Sequence, residues 1–170
     1  NIDPGVVVKV SRSSYLEVKG TLNINATSAE KVYFTSIKDD SVGGDTNGDG
    51  NATIPSPQDW RYIKFTSGST GSITNTVVSY AGGNFSIGIY NNGGNLTIAN
   101  SVVSNNETQG LFLSGGSTII TSSEFSNQAY GVHRIAGTVD ITGSIIKNNY
   151  ISIQIIIQVV KTISRILIIN

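Results

Sequence analysis

The sequence predicts an all-β chain folded as a parallel β-helix, a solenoid of roughly six to seven coils in one domain over residues 1–170. Three observations carry this expectation. Four segments of the second half repeat one pattern: an Ile, a small polar pair, an apolar residue, Asn or Tyr, then a second apolar run. Aligning Ile73, Ile98, Ile120 and Ile141 gives spacings of 25, 22 and 21, and aligning Gly88, Gly110 and Gly131 gives 22 and 21. The composition agrees, because Asn, Ser, Thr, Gly and Ile dominate, and these suit strands and tight turns better than helices.

Each repeat holds short strands that cannot bury their apolar side alone, so stacking in register is what would create a core. Leucine-rich repeats have a similar period, but their Leu-x-x-Leu-x-Leu signature is missing. The expected core ladder is Ile73/Val77, Ile98/Val102, Ile120/Phe125 and Ile141/Ile145. Asn105, Asn127 and Asn148 fall near one turn and predict a polar ladder. In the first half, 6–10, 15–24, 31–36 and 60–67 read as strands. Val32/Phe34 and Ile63/Phe65 look like equivalent positions of successive coils.

Residues 37–59 interrupt that order and predict an insertion at one turn. The segment Asp39–Asp59 holds five of the eleven acids: Asp39, Asp40, Asp45, Asp49 and Asp59. No Lys or Arg lies between Lys38 and Arg61. Carboxylates gathered this closely repel one another unless a cation sits among them. Asp45, Asn47, Asp49 and Gly50 match the first half of a D-x-[DN]-x-[DN]-G loop, in which alternating oxygens converge because a glycine turn wraps the chain. The backbone carbonyl of Asn51 would come next. An EF-hand would carry Glu at its twelfth position; here Ser56 stands there. A further acid must then come from Asp39, Asp40 or Asp59. The expected cofactor is Ca²⁺, set against the alternative of a solvated acidic turn.

Other features narrow the function. Net charge is zero with 13% charged residues, which argues against nucleic acid. With no Cys, disulfides and thiolate metal sites are excluded. The absence of Met, even at position 1, predicts a chain that begins within a longer precursor or as a processed product. Five N-x-S/T sequons (Asn25, Asn51, Asn84, Asn95 and Asn106) are what chance gives in a chain this rich in Asn, Ser and Thr. Trp60, the single tryptophan, reads as a plug beneath the insertion rather than a sugar platform. His133, the single histidine, reads as a surface residue, and no catalytic set is recognisable by spacing. Asp3 and Asp140 are isolated; the second half offers only Glu107, Glu124 and Asp140, so paired-carboxylate chemistry is poorly supported. Scattered Thr and Ser pairs do not make the regular Thr-x-Thr array that ice binding needs. The tail 151–170 lacks Gly and Pro and departs from the repeat. It reads as a last coil with a capping strand or helix, or as an assembly edge. As a membrane span it is interrupted by Gln154, Gln158, Lys161 and Arg165.

Val18, Gly20–Leu22, Phe34–Ser36, the loop Asp39–Asn51, and Asp59, Trp60, Ile63 and Phe65 together resemble right-handed parallel β-helix modules of large bacterial and archaeal cell-surface proteins. The coil Asn95–Val103 is similar to the generic repeats of that family. The resemblance covers roughly residues 4–150. It implies an extracellular stalk, adhesin or polysaccharide-contacting module, with polysaccharide or a neighbouring surface protein as partner. The resulting expectation is a non-enzymatic structural or adhesive module whose loop is ordered by Ca²⁺. Two rivals stand beside it: a filament subunit that stacks end to end, and a carbohydrate-active β-helix enzyme of the lyase or hydrolase type.

Overall fold

The structure, a computed structural model, describes residues 1–155, 162–164 and 167–169. All of its regular elements are strands, and every strand pairing is parallel. One wall is a seven-stranded sheet of β1 (Val7–Val10), β4 (Val32–Ser36), β7 (Thr76–Ser79), β9 (Val102–Ser104), β11 (Glu124–Ser126), β13 (Ile145–Lys147) and β16 (Leu167–Ile169). Seven strands stacked in one wall mean seven turns of a β-solenoid. The nine-stranded sheet supplies the rest of each turn. It contains β2 (Leu16–Val18), β3 (Thr21–Asn23), β5 (Ile63–Phe65), β6 (Thr70–Thr74), β8 (Ile87–Ala99), β10 (Gln109–Thr121), β12 (Tyr130–Thr142), β14 (Ile151–Ile155) and β15 (Thr162–Ser164). β8, β10 and β12 each bend midway at a glycine of positive φ: Gly93 (103°), Gly116 (74°) and Gly137 (80°).

Inward residues stack coil upon coil. Leu16, Ile63, Ile89, Leu111, Val132 and Ile153 form one ladder. Ile73, Ile98, Ile120 and Ile141 form another, as the repeat predicts, and all four are fully buried. The seven-stranded wall contributes Val8, Phe34, Val78, Val103, Phe125 and Ile146. Here the expected phase is corrected by one residue. Val77 and Val102 face out half-buried and Ile145 is 36% exposed, whereas Val78, Val103 and Ile146 are buried. Side chains alternate along a strand, and Val-Val or Ile-Ile pairs look the same in either phase. Phe125 escapes the ambiguity because its neighbour is Glu124. A second correction concerns Val32/Phe34 and Ile63/Phe65. They lie on different walls: Phe34 pairs with Val8 and Val78, while Phe65 pairs with Val18 and Asn91.

In the coils running through β7, β9, β11 and β13, two corners are left-handed. Asn75, Asn100, Ser122 and Gly143 (φ 47–60°) make one column, and Tyr80, Asn105, Asn127 and Asn148 (φ 54–63°) make the other. Asn tolerates this conformation better than other residues with side chains. The predicted Asn105/Asn127/Asn148 ladder is therefore a column of corners, with Asn148 Nδ2 donating to Asn127 Oδ1 at 3.4 Å.

Just after these corners, except at Tyr80 where Ala81 follows, sits a buried polar residue. Ser101, Ser123 and Ser144 accept from the backbone N–H of Thr76, Ser101 and Ser123 at 3.1–3.2 Å. Asn106 accepts from Ala81 N–H, and Asn149 from Gln128 N–H. Asn106 Nδ2 donates to Gln128 Oε1 at 3.2 Å. Gly88 and Gly110 exist to admit this amide column: a Cβ on Gly110 would lie 2.2 Å from Gln128 Nε2. Asn106 is 1% exposed, so its sequon is inaccessible in the folded chain.

The tail continues the solenoid where it is described. β14 and β15 pair with β12, and β16 pairs with β13. Gln154 lies in β14, and no helix of the described residues is long and apolar enough to cross a membrane. Gln158, Lys161 and Arg165 lie outside the described residues.

The phase of the seven-stranded wall is open to direct measurement. Ile146→Ala should cost about 2–5 kcal/mol of unfolding free energy in urea, because it leaves a cavity. Ile145→Ala should cost well under ~1 kcal/mol.

Candidate metal centre

The insertion leaves the solenoid after β4 and returns at Trp60. In the later coils the same connection needs only the few residues between β9 and β10 or between β11 and β12. Trp60 is fully buried and donates from Nε1 to Ser79 O at 2.8 Å, so it is the plug that closes the coil.

Two of the five aspartates pin the loop to its base. Asp39, 6% exposed, accepts from Thr35 Oγ1 at 2.6 Å and from Ser41 N–H at 3.2 Å. Asp59, 8% exposed, accepts from Lys38 Nζ at 2.6 Å, Ser36 Oγ at 2.7 Å and Ser56 N–H at 2.9 Å. Burial pushes the Asp59 carboxyl up, and these donors, with the Lys38 charge, outweigh it and hold it below the ordinary range. The positive charge for this acid thus comes from Lys38 at the edge of the loop.

The other three come together. Asp40, Asp45 and Asp49 each place a carboxylate oxygen within 4.8 Å of the others. Asp45 is the first residue of the D-x-N-x-D-G run, and its carboxylate caps the turn. Oδ1 accepts from Gly48 N–H at 2.7 Å and Oδ2 from Gly50 N–H at 2.8 Å. These backbone donors, Gly50 first, lower its pKa against burial, with Lys9 adding to them. Lys9 Nζ donates to Gly44 O. Gly48 and Gly50 both take φ of 72°, which the wrapping requires. Asn47 Nδ2 donates to Asp49 Oδ2 at 2.8 Å and so fixes both side chains.

One feature of this loop is costly as it stands. Asp40 Oδ1, Asn47 Oδ1 and Asp49 Oδ1 are buried from solvent and accept no hydrogen bond. A buried acceptor without a donor costs about 1–3 kcal/mol, more when charged. Two ligands of one Ca²⁺, at 2.3–2.6 Å each, lie at most about 5 Å apart, so the spacing of the three carboxylates fits. The donors are all oxygen, with no imidazole or thiolate, which suits a hard cation. Asp40 is thus the acid from outside the motif that stands with it, while Asp39 and Asp59 are engaged elsewhere. Asn51 is exposed and lines a cleft of about 240 Å³ beside Asp40, Thr53 and Tyr80. Burial raises the Tyr80 phenol, and the Asp39 charge adds to this.

Sequence reasoning assigns no role to the outer aromatic column, which includes His133. Its ring stacks on Tyr130 at 5.2 Å and lies 5.1 Å from Phe112, and burial lowers its pKa. No protein family matches this chain, and neither does any curated protein or solved structure.

Asp59→Asn should lower stability at pH 7 by on the order of 1–3 kcal/mol, because it breaks the Lys38 pair at a buried site. The folded-state pKa lies below the unfolded one, so the stabilisation is complete at neutral pH and is lost as pH falls through the folded value. Urea melts of both proteins across the acid range should therefore converge below the ordinary carboxylate range.

Proposed function

We propose that this chain is a non-catalytic, extracellular structural and adhesive β-solenoid whose acidic loop is ordered by Ca²⁺. The observation that carries the reading is the set of three buried, donor-less oxygens of Asp40, Asn47 and Asp49 beside the Asp40/Asp45/Asp49 carboxylates. A divalent cation supplies the positive charge that this arrangement lacks. Asp40, Asp45, Asp49 and the Asn47 carbonyl are the residues that would hold it, with Asn51 next along the motif. Asp39 and Asp59 contribute by fixing both ends of the loop to the solenoid edge, so that ordering of the loop is coupled to the coil beneath. Ca²⁺ is favoured over Mg²⁺ because the donors sit on an irregular loop, and Ca²⁺ accepts such geometry where Mg²⁺ demands a regular octahedron.

The extracellular location is supported by the resemblance of residues 4–150 to cell-surface modules and by a chain without cysteine thiols to protect. The partner class that follows is polysaccharide or a neighbouring surface protein. A second reading, end-to-end self-association, is favoured by one observation. Leu167, Ile168 and Ile169 of β16 are 45–53% exposed although Ile168 continues the core ladder through Ile146. Sedimentation velocity at rising concentration separates the two, since a filament subunit lengthens and a monomeric module does not.

Calcium at a hundredfold excess over its dissociation constant should stabilise the fold by about 2.7 kcal/mol. That is several degrees in melting temperature for a chain of this size. Asp45→Ala and Asp49→Ala should abolish the response, whereas Asp39→Asn should lower stability and keep it. A calorimetric titration without heat, together with a melting temperature indifferent to EGTA, would sink the reading.

A further inference from the structure

β1 begins the seven-stranded wall and pairs on one side only, with β4. A terminal strand of this kind frays unless something ties it down. All four of its residues are half-buried, whereas four of the five residues of β4 are buried. On the other sheet, β3 has its own tie: Ile2 N–H donates to Asn23 O at 2.8 Å and Asn25 N–H to Ile2 O at 2.9 Å. Among the described residues no strand lies beyond β1. What reaches it is the acidic loop.

The loop touches β1 along its length. At the loop entry Ile37 N–H donates to Val10 O at 3.1 Å. Farther on, Lys9 Nζ donates to Gly44 O. Gly43 lies against the strand, since a Cβ there would stand 3.2 Å from Val7 Cγ1 and 3.4 Å from Lys9 Cε. Gly43 and Gly44 take φ of 70° and 74°, a conformation that glycine adopts without cost. Val7 and Lys9, two residues apart, share one face of the strand. The strap that covers them, residues 41–44, is bracketed by Asp40 and Asp45. Those two belong to the cluster whose carboxylate oxygens all lie within 4.8 Å of one another. Asp40 Oδ1 and Asp49 Oδ1 in that cluster are buried without a donor. Closing the strap on β1 thus means gathering like charges.

We infer that a cation held by Asp40, Asp45 and Asp49 is a latch: it closes the 41–44 strap over Val7 and Lys9 and so fixes the first strand of the wall. The inference rests on the proposed Ca²⁺ reading of the loop and adds what binding does to the solenoid. With the cation in place, Asp40 and Asp45 are drawn to one point, and the strap between them is a short closed loop. Without it the carboxylates repel one another, and Lys9 brings one charge against three. Asp39 and Asp59 still hold the ends of the loop, so the strap lifts while the base stays. Coils of a solenoid contact only their neighbours, so one end can loosen while the other stays folded. The effect of the cation therefore falls first on β1.

Hydrogen exchange read by mass spectrometry, in calcium and in EGTA, tests the latch, with calorimetry on the same samples reporting binding by itself. Calcium should slow exchange of the β1 amides by about tenfold or more and leave β13, at the far end of the wall, unchanged. Asp45→Ala should lose both the heat and the protection. Lys9→Met removes the tie to Gly44 and none of the carboxylates. It should keep the calcium heat and lose most of the gain at β1. Heat with no slowing at β1 overturns the latch and leaves the calcium reading standing; no heat removes both. A gain at β13 as large as at β1, or an undiminished gain in Lys9→Met, also overturns the latch.

Discussion

Every coil of this solenoid must return its backbone to the same place one strand spacing further on, about 4.8 Å. That requirement governs the rest of the structure. A coil that closes at a different position loses the hydrogen bonds to both neighbours. In the coils of β7, β9, β11 and β13 the closure is made at two left-handed corners, with Asn75, Asn100 and Ser122 on one side and Asn105, Asn127 and Asn148 on the other. Behind these corners, buried Ser and amide columns tie the backbone N–H of one coil to a side chain of the next. These polar columns are satisfied only through stacking, since each side chain accepts from a coil other than its own. They therefore enforce register as well as closure, because a slipped coil would leave its serine or amide buried and unpaired.

Such a scaffold accepts an insertion easily. The loop departs and returns at neighbouring points of the solenoid edge, and closing a longer loop costs little extra entropy. What it needs is a firm base, and Asp39, Asp59, Lys38 and Trp60 provide one. Carboxylates paired with Lys38 or with hydroxyl donors are quiet structural groups. Carboxylate oxygens buried without a donor, as on Asp40 and Asp49, are not. The same residue type thus plays two opposite parts within twenty residues, and its surroundings decide which.

How much of this was legible in the sequence depends on the length scale of the signal. The period of Ile73, Ile98, Ile120 and Ile141 announces stacking, and the structure places all four in one ladder. The Asn105/Asn127/Asn148 column was legible too, because few residues other than Asn and Gly take that corner. The phase of Val77–Val78, Val102–Val103 and Ile145–Ile146 was not, since two adjacent apolar residues carry no sign of which faces inward. Nor could spacing separate Asp40 from Asp39 and Asp59: the distinction lies in Thr35, Ser36 and Lys38, which approach only once β4 is in place. The outer aromatic column left one hint, since Tyr90 and Phe112 repeat at the coil spacing beside inward Ile89 and Leu111.

The most direct test of the account is a crystal structure grown with calcium, read from the anomalous difference map. The account predicts one peak in the loop, with oxygens of Asp40, Asp45, Asp49 and Asn47 at about 2.3–2.6 Å. A loop without such a peak, with the Lys9 or Lys38 ammonium group seated among the three carboxylates instead, would contradict it.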